Sequence, residues 1–214
     1  MFRLLLLTLA ALAAVPPAYA QASPDRNPAL HALFAEEWEG GLRQSPENAS
    51  YSGDRRYNDR WTDFSLEAIA SRAAADRAAL QKLQAIDRGA LSAADRLDYD
   101  TFLWQLQRSV ERQRFREYLQ PLSHQGGPQT LDGIAEVLPF ANAEDYRDWL
   151  ARLRAVPAVL EQVTALMREG VKAGSVPPRI LMQRVPAQIA AQRVDDPARS
   201  GFYRPFLKMP ESIA

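Results

Sequence analysis

The chain contains no cysteine, which excludes a disulfide framework, a thiol nucleophile and any thiolate-held metal. Histidine is almost as scarce, with His31 and His124 alone. Lysine is rare too: of 26 Lys and Arg residues, only Lys82, Lys172 and Lys208 are lysines. An equal number of acidic residues brings the formal net charge to zero, so no basic field marks a nucleic-acid partner or a polybasic membrane surface. Beyond the first 20 residues, no apolar run approaches the length of a membrane span. No serine or cysteine stands in a nucleophile–histidine signature, which excludes a hydrolase of that kind. Gly126-Gly127-Pro128 lacks the lysine and hydroxyl residue of a phosphate loop.

What is present describes an exported helical chain. Apolar residues make up 47% and charged residues 24%, enough for a real core. Residues 1–20 read as a secretory signal peptide. Arg3 is its positive start, Leu4–Ala14 its apolar stretch, and Ala18-Tyr19-Ala20 its small-x-small site, so cleavage is expected at Ala20-Gln21. No cysteine follows that site to carry a lipid. The mature chain, 21–214, is therefore expected in the periplasm or outside the cell.

Helix signals then recur along the mature chain. Asn27 caps and Pro28 starts a first helix with Leu30, Leu33, Phe34 and Trp38 on one face and Gly40-Gly41 weakening its end. Ser65 opens a second helix, to about Ile86. Ser92, with Asp95 three residues on, opens a third that reads through to Leu119. The longest element begins at Asn142, with Asp145 in the capping-box place. Its stripe is Tyr146, Trp149, Leu150, Leu153, Val156, Leu160, Val163, Met167 and Val171. Pro157 removes a backbone donor and predicts a kink or break near Ala155–Val156. Gly170, Gly174 and Pro177-Pro178 are its stop signals. A last helix, from about Pro178 to Arg193, is disturbed or restarted at Pro186. The fold class is thus all-α: five or six helices in an irregular bundle.

Two long connections interrupt the helices, at 44–64 and 121–141, and connections of that length often carry function. The first offers Tyr51, Asp54, Arg55 and Tyr57 as candidate substrate-binding residues. The competing reading is a loop pinned by its own Asp–Arg pairs. The second offers His124 and Gln125, which otherwise belong to a structural turn. His31 stands five residues from Glu36, a poor spacing for one helix face, and is expected on a solvated surface. Asp95, Asp98 and Asp100 are explained by the preference of first helical turns for acids, with no histidine expected nearby. No catalytic residue and no metal ligand emerges.

Several stretches in order resemble the bacterial family called domain of unknown function 885. They are SGDRRYNDRWTDFS at 52–65, LSAADRLDYDTFLWQL at 91–106, EDYRDWLARLRAVPAVLEQVTALMREGVKAGSVPPRILM at 144–182 and GFYRPF at 201–206. The resemblance implies an exported helical protein of the zincin-like metallopeptidase clan, whose members are more than twice as long. It also implies zinc for those full-length members, bound through a His-Glu helix in their C-terminal part. This chain has no His-Glu dipeptide and too few histidines for such a site, so no cofactor is expected within it. The expectation is an incomplete part of a larger zincin-like fold: residues 21–214 as the N-terminal helical region, with the C-terminal catalytic part absent. Its apolar ending, GFYRPFLKMPESIA, adds to that expectation. Partners would be the missing C-terminal half or a peptide substrate, with no nucleic acid and no membrane span. The alternative is a stand-alone periplasmic helical binding module for peptides or a protein partner.

Overall fold

The computed structural model of the protein describes residues 26–213. The expected signal peptide and its cleavage site lie outside the described residues. Every regular element among the described residues is helical. Seven α-helices run in the order α1 (Pro28–Gln44), α2 (Pro46–Tyr51), α3 (Leu66–Gln84), α4 (Ala93–Arg112), α5 (Ala143–Lys172), α6 (Arg179–Met182) and α7 (Val185–Ala191). Short 3-10 turns fill many of the gaps, the longest at Pro128–Glu136.

The expected caps form. Asn27 Oδ1 accepts from Leu30 N, Ser65 Oγ from Ala68 N, and Ser92 Oγ from Asp95 N. Asn142 and Asp145 complete a reciprocal capping box on α5. Three expectations change. The 44–64 connection is no open loop, because it contains α2 and a 3-10 turn at Arg55–Tyr57. Helix α4 ends at Arg112 rather than Leu119, where two 3-10 turns meet at Arg116 in the left-handed region. Helix α5 passes unbroken through Pro157. Proline deprives the Leu153 carbonyl of its intrahelical donor. One position earlier, the Trp61 indole N–H donates to the Arg152 carbonyl at 2.8 Å and packs against that turn. Tertiary contact therefore supports the helix where local chemistry alone weakens it.

Two hydrophobic cores result. In the first, α1, α3 and α4 enclose Leu30, Leu33, Ala79, Leu83, Tyr99 and Leu106, with Phe34 edge-on to Phe102. In the second, α5 packs Trp149, Val159 and Val163 against Trp61, Ile134 and Leu138. The apolar tail docks here rather than hanging free: Phe202 stacks on Trp149, whose indole N–H donates to the Phe202 carbonyl at 3.0 Å. Burial of Trp149 alone is worth on the order of 5 kcal/mol before entropy, from about 200 Å² at 25 cal/mol per Å².

The buried stripe of α5 is only partly the expected one: Tyr146, Trp149 and Val163 are buried as expected, and Leu153, Val156 and Met167 pack half-buried against the second core. The stripe runs Asp145, Tyr146, Trp149, Arg152, Val159, Val163, Leu166 and Gly170. Gly170 is required by close approach: a Cβ there would lie 2.6 Å from the Leu119 carbonyl oxygen and 2.8 Å from that of Ser175. Leu150, Leu160 and Val171, expected inside, are exposed.

Candidate functional site

The 46–61 segment is organised by one side chain that sequence reading passed over. Arg152, on the buried stripe of α5, has no solvent exposure. Its Nε donates to the Arg60 carbonyl at 2.9 Å. Its Nη2 donates to Ser50 Oγ at 2.9 Å and to the carbonyls of Tyr57 and Pro46 at 3.2 and 3.3 Å. The guanidinium lies over the Trp61 ring, 5.0 Å from its centroid. Burial pulls the Arg152 pKa down, while Glu47, Asp59 and Asp148 act in the opposite direction from a distance. Asp148, one turn before it, is pushed up by burial and by the neighbouring acids Asp59, Glu144 and Asp145. A planar multi-donor group suits this place because Nε and Nη2 together reach four acceptors, although the buried Nη1 has no partner among the described residues. The sequence signal was its position, three residues after Trp149 in the four-three spacing of the buried stripe.

The candidate loop residues divide around this junction. Asp54 caps the Arg55–Tyr57 turn through Arg56 N at 3.0 Å, and the Arg56 side chain holds its carboxyl below the ordinary carboxylate range. Arg56 also grips Glu39 of α1. Arg55 pairs with the buried Asp145 of the capping box. The Tyr57 ring lies against the Arg56 and Arg60 guanidinia, while its carbonyl accepts from Arg152. Arg56 ties the segment to α1, Arg55 and Tyr57 tie it to α5, and Asp54 holds Arg56 in place. Tyr51 differs, since its exposed ring borders a cavity of about 310 Å³ shared with Trp61, Phe64, Gly127 and Pro128. The two long connections therefore meet at Tyr51.

On the second connection, His124 and Gln125 are not among the residues lining that cavity. The His124 carbonyl accepts from Gln188 of α7 at 2.9 Å, and the imidazole Nδ1 is buried without a hydrogen-bond partner among the described residues. Gln125 is exposed, its backbone N–H bonded to Ser123 Oγ. Gly127 has φ of 141°, and a Cβ there would strike Leu122 Cδ1 at 2.5 Å, so glycine is required at that one position of the turn.

His31 is not a freely solvated side chain. Its Nε2 lies 2.8 Å from Asp95 Oδ1, and Asp95 is buried at the start of α4. Asp95 Oδ2 accepts from Asn27 N at 2.6 Å, so one carboxylate joins two helix starts. The Asn27 N–H first, then His31, hold the Asp95 carboxyl below its ordinary range. The expectation of no histidine near Asp95 was wrong because these residues lie 64 apart in the chain.

His31 is committed to Asp95, and among the described residues no three His, Asp or Glu side chains gather as a metal-holding group. No helix among them is long and apolar enough to cross a membrane.

A third feature is a groove of about 890 Å³ beside α5. Val156, Leu160, Met167 and Val171, part of the stripe that sequence expected to be buried, form its floor. Ile189 and Phe202 stand opposite, with Arg168, Lys172 and Arg193 in its walls.

The architecture is that of an irregular all-α protein with two cores, the Arg152 junction lying beside Trp61 of the second. The chain belongs to the family described as bacterial protein of unknown function (DUF885), whose model matches residues 46–214. That range starts at the first residue of α2 and takes in the whole Arg152 junction and the second core. A comparison with curated proteins returns no match.

Proposed function

We propose that this chain is the N-terminal helical scaffold of an exported, zincin-like metallopeptidase-type protein, and that it holds no hydrolytic centre of its own. The observation that carries the reading is the second apolar stripe of α5. Leu160 and Val171 are 43% and 68% exposed, yet they continue the spacing of Val156 and Met167 along an open groove. An amphipathic helix with two apolar faces has partners on both. The occupant assigned to this groove is the apolar face of the catalytic part, which would bring the His-Glu helix and the zinc. The signal-peptide pattern of residues 1–20 supports export to the periplasm.

The alternative, a stand-alone periplasmic module for peptides, draws on the cavity where Tyr51 meets Gly127-Pro128. One experiment separates the two. The reading frame is sequenced past the codon for Ala214, and the native exported product is weighed by mass spectrometry. A longer product beginning at Gln21, with a His-Glu helix and zinc-dependent peptidase activity, is the expected result. A product ending at Ala214 that melts cooperatively, stays monomeric and leaves an apolar dye unbound would overturn the scaffold reading in favour of the module.

A further inference from the structure

A second groove, of about 730 Å³, lies on the opposite core, between α3 and α4 and the turns after α4. Its walls carry Arg72, Arg77, Arg108, Arg112 and Arg116 against only two acids, Asp76 and Glu117. Both acids are already engaged. Glu117 pairs with Arg112, and Asp76 accepts from Ser109 Oγ at 2.5 Å. That leaves four arginines. Arg72 donates to the Asp63 carbonyl, Arg77 to Gln113 Oε1 and Arg116 to the Tyr118 hydroxyl. Arg108 lies over the Trp104 ring, 4.9 Å from its centroid. Among the described residues none of the four has a carboxylate partner. Trp104 itself is 59% exposed, and Leu66 at the far end of the groove is 52% exposed.

We propose that this groove binds an acidic peptide segment in extended conformation. The proposal goes beyond the scaffold reading and rests on neither the α5 groove nor a metal. The arginines are held by neutral acceptors or by an aromatic face, so their forks are ordered while their charge is unspent. A carboxylate meeting such a fork gains two parallel charge-assisted bonds at little further entropic cost. From Leu66 to Arg77 the α3 wall runs about 17 Å at 1.5 Å per residue, the length of roughly five extended residues at 3.3 Å each. Acids at alternate positions then fall about 6.6 Å apart on one side. The residues between them meet Trp104, Ile69 and Leu66, which supply the apolar contacts a bare polyanion would not use. A nucleic acid is disfavoured by a formal net charge of zero, since the basic side chains are confined to one short groove rather than a continuous track.

The test uses the mature chain and a fluorescein-labelled, end-capped peptide of sequence Glu-Leu-Glu-Leu-Glu, read by fluorescence anisotropy. Saturable binding with a Kd on the order of tens of micromolar at low salt is expected. It should weaken roughly tenfold in the Arg108→Gln, Arg116→Gln double variant and again at high salt. Both side chains are exposed, so circular dichroism should show the variant folded as the parent. The matching Lys-Leu-Lys-Leu-Lys peptide should not bind. Absence of saturation, equal binding by the double variant, or a single-stranded oligonucleotide of the same charge binding as tightly would each overturn the proposal.

Discussion

Replacing Arg152 with alanine should loosen the 46–61 segment from α5 more than any other single change in it. The parent guanidinium reaches four neutral acceptors with three hydrogens, one on Nε and two on Nη2 shared among three oxygens, while its buried Nη1 has no partner among the described residues. Bonds of that kind contribute about 1.5–3 kcal/mol per donated hydrogen, or roughly 4.5–9 kcal/mol in gross terms. Against this stands the desolvation of a cation with no direct carboxylate partner, which costs several kcal/mol that the substitution returns. The alanine also leaves a cavity beside Trp61 and strands the Arg60 carbonyl, while the Pro46 carbonyl keeps the Ser50 hydroxyl and the Tyr57 carbonyl keeps Arg60 N–H. A net loss of about 3–5 kcal/mol follows, near the range found when one member of a buried charged network is removed. At about 2–4 °C per kcal/mol for a chain of this size, the melting temperature should fall by about 6–20 °C. Arg152→Lys should lose about as much, because a single ammonium cannot serve both the Nε acceptor and the Nη2 acceptors. Urea denaturation followed by far-ultraviolet circular dichroism measures the loss. If Arg152→Met proved as stable as the parent, desolvation of the cation would outweigh its hydrogen bonds, and the account of the junction would be wrong.

Other positions give independent checks. Gly170→Ala should destabilise by about 1–3 kcal/mol in a thermal melt, because the new methyl meets the fixed carbonyls of Leu119 and Ser175 rather than a movable side chain. Asp95→Asn tests the latch between α1 and α4 through pH. The folded Asp95 carboxyl titrates below its unfolded value, held down by Asn27 N–H and His31, so its contribution is present above the unfolded pKa and lost as pH falls through the folded one. The variant should melt below the parent at pH 7, and the two curves should converge under acid conditions. A difference in melting temperature that stays constant from neutral pH to acid would show that the carboxylate charge has no part in the latch.

The starts of the four long helices were legible in the chain, because a cap and its first turn are local. Asn27-Pro28, Ser65, Ser92 and Asn142 act on backbone groups within three residues of themselves. The all-helical class and the family resemblance were legible for the same reason, since both rest on order and spacing along one dimension. Periodicity also showed that α5 is apolar over much of its surface, but it could not say which stripe would be covered. That choice depends on Trp61, 91 residues before the Arg152 carbonyl it binds, and on Phe202, 53 residues after the Trp149 indole it accepts from. The same distance in sequence hid the candidate site. Arg152 reads locally as one more surface arginine on a helix, and His31 as a solvated histidine five residues from the nearest acid. Only the folded chain sets four remote acceptors around the first and a buried carboxylate beside the second. Hydrogen bonds and burial depend on what lies within a few ångströms in space, which local spacing in the chain cannot express.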